Sequence, residues 1–211
     1  MDVNDFDISK SAILFFDLLN SFIHSGDEKA RAKKAPMVAN AVRLMKAGRA
    51  SGMPMFFAMA SHHPSGATAS NLITDTDTSL KPWADGKVAW RKPHALSGDG
   101  GSQVIAELEP RPDDYYIPKC RYSAFHQTYL DLALRTRGID TLIISGGSTD
   151  VGVCATVFAA RDYDYNLIIA RDGCATSHDP RAHDALMDLI FPRMARVRTT
   201  GEILTMIGPS R

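Results

Sequence analysis

The stretch Ser148-Thr149-Asp150-Val151-Gly152-Val153-Cys154-Ala155-Thr156 follows the apolar run TLIISGG at 141–147. A strand that turns into a helix through a tight, glycine-containing loop exposes the first N–H groups of the helix, which are unpaired and partially positive. Such a turn suits a bound carboxylate or a developing anion, and a cysteine in it would have a lowered pKa and be reactive. Cys154 is therefore a candidate by chemistry and Gly152 by position. Three other places offer reactive groups. Asp17 lies in ILFFDLLNSF, where apolar neighbours desolvate it and raise its pKa unless a cation stands close; a capping role is equally open. Lys119, in PKCRYSAF, can neutralise that carboxylate or polarise a substrate oxygen, and Arg121 offers a fork for a substrate carboxylate. For Lys119 the alternative is a solvated surface lysine, for Arg121 a structural ion pair. His62 and His63 are adjacent, so they face different ways and make a weak metal signal without a third ligand; they read as loop histidines, with His62 able to reach a ligand. The chemistry on offer is proton transfer by a carboxyl–ammonium pair, or attack by a thiol.

These groups need strand ends to hold them. Apolar runs at 11–19, 53–60, 114–119, 141–147, 165–172 and 194–199 read as six strands. Helical patterns lie between them at about 35–50, 126–137, 151–163 and 179–190, and a last helix covers TGEILTMI. Continuous rather than alternating apolar strands point to a parallel sheet covered on both faces. The expected fold is a single α/β domain over residues 1–211, a three-layer α/β/α Rossmann-like arrangement with a mainly parallel six-stranded sheet. In such sheets reactive groups sit beyond the carboxyl ends of the strands. Residues 61–103, rich in Gly, Pro, Ser, Thr and Asp, are long for a loop and read as a lid or a substrate-shaping segment.

Composition narrows the function classes. Lys+Arg 24 against Asp+Glu 24 leaves no net charge to attract nucleic acid or an anionic membrane. No apolar run approaches the roughly 20 residues of a membrane span, and the first ten residues, MDVNDFDISK, are too acidic and polar for a secretory leader. The three cysteines, Cys120, Cys154 and Cys174, form neither a disulfide framework nor a zinc knuckle. A cytoplasmic protein with reduced thiols, a small-molecule substrate, no metal and no cofactor is expected. GxSxG, HExxH, Walker and GxGxxG motifs are all missing from the chain.

Asp17 at the end of the first strand, Lys119 before RYSAF, and STDVGV with Thr156 after the fourth strand together resemble the isochorismatase-like hydrolase superfamily. The resemblance runs from about residue 11 to PRMARVRTTGEIL and is weakest over 61–103. Most members are cysteine hydrolases of amides and related C–N bonds, with an Asp–Lys–Cys triad and a T-x-x-C-V-x-x-T motif followed by a Gly-Tyr pair. Here Thr149, Val153 and Thr156 match, Asp164-Tyr165 falls on the Gly-Tyr pair, and the cysteine position is Gly152. Cys154 stands two residues later, about 200° around a helix, so it should point away from the pocket as a small buried hydrophobe. Asp17-Leu18-Leu19 replaces the frequent Asp-Met-Gln, and ASHHPSG lacks the glutamine expected after the second strand.

The resemblance implies the branch with glycine in place of the nucleophilic cysteine, which hydrolyses the vinyl ether of isochorismate. Asp17 would then be the general acid, Lys119 would tune it or bind substrate, and Gly152 would leave room for the substrate carboxylate. Phe22, His62, Arg121, Gly147, Ser148 and Val151 would line the substrate, the Gly147–Ser148 peptide would be cis, and the protein would be a homo-oligomer. Two other readings stand beside this one: a cysteine amidohydrolase acting through Cys154, and a family member that binds a ligand without catalysis.

Overall fold

The computed structural model describes residues 3–69, 95–176 and 178–208, with the backbone of Asp75–Thr76 and Ser79–Leu80, which pair as a small antiparallel ladder. The expected lid falls mostly on residues 70–94, which lie outside the described residues apart from that ladder. Six strands form the main sheet: β1 (Ser11–Phe16), β2 (Met55–Ala60), β3 (Tyr115–Lys119), β4 (Thr141–Gly147), β5 (Asn166–Ala175) and β6 (Arg196–Arg198). They lie in the order β3-β2-β1-β4-β5-β6, and every neighbouring pair is parallel. The order reverses between β1 and β4, the switch point where open α/β sheets bind ligands.

All six residues of β1 are buried, which a central parallel strand covered on both faces requires. The period of two along a strand divides them. Ala12, Leu14 and Phe16 join one core, with residues of α3 (Leu130–Thr136), α4 (Cys154–Asp162) and the helix that begins as α5 (Pro180–Ala185). Ile13 and Phe15 join the opposite core, against α2 (Glu28–Ala50) and α6 (Thr200–Ile207). A one-turn helix, α1 (Asn20–Ile23), follows β1.

Three element boundaries differ from the sequence reading for local reasons. Helix α2 starts at Glu28 rather than near 35, because Asp27 caps it by accepting from the Ala30 N–H at 2.8 Å. Its apolar spacing begins only at the buried Met37, and Pro36, which favours a first turn, lies inside the helix. Helix α3 is shorter than 126–137, since Gln127 has φ +54 and residues up to Tyr129 remain in turns. The fourth crossover begins with a π-turn at Thr149–Val153 before α4 proper.

Candidate active site

Sheet register assembles the site. Phe16 pairs with Ala58 across β1–β2, and Ala60 pairs with Lys119 across β2–β3, so the residue after β1 is level with the ends of β2 and β3. That residue is Asp17. Its N–H donates to Ala58 O at 2.9 Å, and its φ of +49 turns the chain out of the strand. The Asp17 carboxylate accepts from the Ala60 N–H at 2.6 Å through Oδ1 and from Lys119 Nζ at 2.7 Å through Oδ2. Both side chains are nearly enclosed, at 13% and 4% exposure, so the pair works in a low dielectric. Burial pushes the Asp17 carboxyl above the usual carboxylate range, against the opposing pull of the Lys119 ammonium and the Ala60 amide. The Lys119 ammonium also stands 4.3 Å from the centroid of the Phe16 ring, within cation–π reach.

His62 follows β2 and is tied into a short parallel bridge with Leu96: its N–H donates to Ala95 O at 2.8 Å, and its carbonyl accepts from Ser97 N–H at 2.7 Å. It is more enclosed than a loop histidine, and its Nδ1 is buried with no hydrogen-bond partner among the described residues. Burial first, and then the Lys119 and Arg121 charges, hold its pKa down despite Asp17 and a bond to Thr68. His63 turns to Ser65 Oγ at 2.7 Å, so the two rings diverge. Arg121 Nη1 donates to Thr68 O at 2.9 Å and to Cys120 O at 2.7 Å, so part of its fork is already committed to backbone. Phe22, on α1, is half-buried against the core on the α2 face, and the carboxylate's partners are Ala60 and Lys119 instead.

Beyond β4 the Gly147–Ser148 peptide is cis. The Ser148 carbonyl accepts from the N–H groups of Val151 at 3.3 Å and Val153 at 3.1 Å. The Ser148 hydroxyl donates to Asp150 Oδ1, which also accepts from Thr176 Oγ1 at 2.7 Å, while Asp150 Oδ2 meets His178 Nδ1 at 3.1 Å. The Ser148 side chain is thus turned toward the loop after β5, and Gly147 and half-buried Val151 flank that turn. The motif threonines have distinct tasks. Thr156 Oγ1 accepts from the Ala124 N–H at 3.0 Å and donates to Gly152 O at 2.8 Å, joining the RYSAF loop to the turn. Thr149 Oγ1 lies 2.9 Å from His183 Nδ1. Asp164, on the motif's glycine position, has the left-handed φ of +65 that favours glycine, and the Tyr165 hydroxyl after it donates to Asp131 Oδ1 at 2.9 Å.

Gly152 is not a vacancy for substrate. A Cβ there would overlap Phe16 Cε1 and lie 2.5 Å from Phe16 Cζ, so the ring edge fills the volume expected for a carboxylate. Cys154 is half-buried against the core on the α4 face. Burial, then the Asp150 charge, raises its thiol pKa, the reverse of an activated nucleophile. Cys174 is fully buried and pushed up to about 12. Sequence reasoning missed Phe16, whose bulk beside Asp17 looks like any other core residue. It also missed the Ala60 amide and the Asp150 network, which depend on contacts between separate elements.

The 3-2-1-4-5-6 parallel sheet defines a Rossmann-like α/β protein, and the carboxyl–ammonium pair stands at its switch point, where open sheets of this class bind ligands. An isochorismatase-domain family model matches residues 11–202, and the chain belongs to the isochorismatase family of hydrolases. It is 32% identical over 184 residues to the uncharacterized isochorismatase family protein YecD of Escherichia coli O157:H7, covering 87% of this chain and 86% of that one. It is 24% identical over 220 residues to the ureidoacrylate amidohydrolase RutB of Pseudomonas syringae pv. syringae, covering 95% and 84%. The solved N-carbamoylsarcosine amidase of Thermoplasma acidophilum superimposes with a TM-score of 0.69 at 29% identity, covering 90% of this chain and 96% of that one. No helix among the described residues is long and apolar enough to cross a membrane.

Proposed function

We propose that this hydrolase cleaves the vinyl ether of a small carboxylate such as isochorismate by proton transfer from Asp17, with no covalent thiol intermediate. The carrying observation is the enclosed Asp17–Lys119 pair, with Asp17 raised in pKa and no side chain at position 152. Protonated Asp17 delivers its proton to the terminal methylene carbon of the enolpyruvyl group. The ether oxygen stabilises the resulting oxocarbenium ion. Water adds to the carbon that bears the ether oxygen, giving a hemiketal, and returns a proton to Asp17. The hemiketal then collapses: its hydroxyl proton goes to the departing alkoxide, and pyruvate and an alcohol leave. Lys119 holds Asp17 in place and, with Arg121, supplies the positive field for a carboxylate substrate, while His62, its pKa held down by burial, offers a neutral ring to the ligand. In this reading Gly147, Ser148 and Val151 bound the pocket on the β4 side and Phe22 on the α1 side.

The test is pyruvate release from isochorismate as a function of pH. The proton must be on Asp17, so kcat/KM should be highest at low pH and fall as pH rises through the raised Asp17 pKa. That descending limb should lie above the titration range of an exposed aspartate. A rate that only increases with pH would exclude Asp17 as the acid.

The amidohydrolases among the relatives favour a second reading, attack on a C–N bond by Cys154. The raised thiol pKa stands against it. Cys154→Ser is expected to leave turnover unchanged, and Cys154 should react slowly with iodoacetamide at neutral pH. Fast alkylation with loss of an amidase activity would replace the first reading by the second.

A further inference from the structure

We propose that Phe16 and Gly152 form one interlocked pair, and that Phe16 both excludes a nucleophilic side chain from position 152 and positions Lys119 on Asp17. The two halves come from the edge and the face of one ring. Its edge lies against the Cα of Gly152, where an added Cβ would sit 2.5 Å from Cζ and closer still to Cε1. Ordinary carbon contacts are about 3.5–4.0 Å, so even an alanine at 152 requires the ring to move. Above the ring is the Lys119 ammonium, 4.3 Å from the centroid.

The ring has little freedom to give way. Phe16 is 1% exposed and packs in the core that holds Ala124, Val153 and Val157. Its backbone is also held closely: a Cβ on Gly146, the residue paired with it on β4, would lie 2.8 Å from Phe16 N and 2.9 Å from Phe16 C. Position 16 therefore uses two glycines, one to let β4 approach the backbone and one to seat the ring. A side chain at 152 would have to displace the ring, and with it the apolar support under Lys119.

The consequence is that glycine at 152 is not an isolated loss of a nucleophile. Restoring a cysteine by Gly152→Cys alone gives a thiol with no place to stand, whereas shrinking residue 16 makes the place. The choice of chemistry rests on the proton-transfer reading above; the packing conflict does not.

The experiment is a double-mutant cycle on the full chain with Gly152→Cys, Phe16→Val and the two combined, measured by thermal melting. Overpacking at 152 should lower Tm by about 3–10 °C in Gly152→Cys. In the combined variant the second substitution should cost much less, or raise Tm, relative to Phe16→Val alone. Additive shifts would overturn the interlock. If Gly152→Cys does not fold, Gly152→Ala in both backgrounds tests the same Cβ. A second reading comes from iodoacetamide labelling mapped by mass spectrometry: position 152 should label in the combined variant and resist in the single one, and equal labelling would overturn the exclusion. For the positioning half, Phe16→Leu keeps apolar volume but removes the ring face. The Asp17 ionisation midpoint, followed by carboxyl 13C NMR, should move upward as Lys119 loosens; an unmoved midpoint would confine Phe16 to packing and overturn this half. Failure of the wild type to release pyruvate from isochorismate would remove the reaction and leave the Tm coupling intact, so the two failures are distinguishable.

Discussion

Asp17→Asn is expected to lower turnover of the enol ether by about 10²–10⁴-fold, the usual contribution of general acid catalysis. Asparagine is the informative replacement because Asp17 sits at φ +49, a left-handed conformation that asparagine tolerates and β-branched residues do not. The Ala60 amide can still donate to the Asn carbonyl oxygen, so the turn after β1 should persist. What changes is the other oxygen. An amide NH2 would face the Lys119 ammonium, donor against donor, and leave a lysine at 4% exposure without its counter-charge. Removing one partner of a buried pair costs about 3–5 kcal/mol, so kcat must be measured below the variant's own melting transition. A folded Asp17→Asn protein that turns over at the wild-type rate would eliminate Asp17 as the proton donor.

Lys119→Met should produce the second largest effect, and one with a distinct pH signature. Methionine keeps an apolar stem over the Phe16 ring and deletes only the ammonium. The pull that holds Asp17 down is then gone, while the desolvation that raises it remains. Stability at neutral pH is expected to fall by about 3–5 kcal/mol, because an ionised Asp17 is left buried and uncompensated. A carboxyl whose folded pKa exceeds its unfolded value contributes stability that is full below the unfolded pKa and lost as pH rises through the folded one. With Lys119 gone that folded pKa moves higher, so the Tm deficit relative to wild type should grow with pH through this window and shrink on acidification. The descending limb of the pH–rate profile should move to higher pH as well. A limb that stays in place, with a Tm deficit independent of pH, would show that Lys119 does not govern Asp17.

Much of this architecture was legible because it depends on local pattern. The runs around Ile13, Phe57, Ile143 and Ile168 are continuous and apolar, as strands buried on both faces must be, and the strand-end rule then singled out Asp17 and Lys119 before any contact was known. The start of α2 was not legible. Its first turns are charged and exposed, and apolar periodicity begins only at Met37. The late start of the helix expected at 126–137 escaped for a similar reason, since the left-handed φ of Gln127 is a backbone state that residue type alone does not announce.

Residue types and their order along the chain by themselves determined the sheet class, the strand-end positions of Asp17 and Lys119, and the glycine at 152. Only the tertiary structure decided what that glycine means. Whether position 152 faces open pocket or a packed ring depends on how far β4 and its π-turn lie from β1, a distance between segments more than a hundred residues apart in sequence. The same holds for the Asp17 carboxyl: burial between packed elements raises its pKa, and an amide from β2 and an ammonium from β3, which register brings level with it, oppose that rise. Periodicity acts within a segment, whereas pKa and steric exclusion are properties of the space between segments.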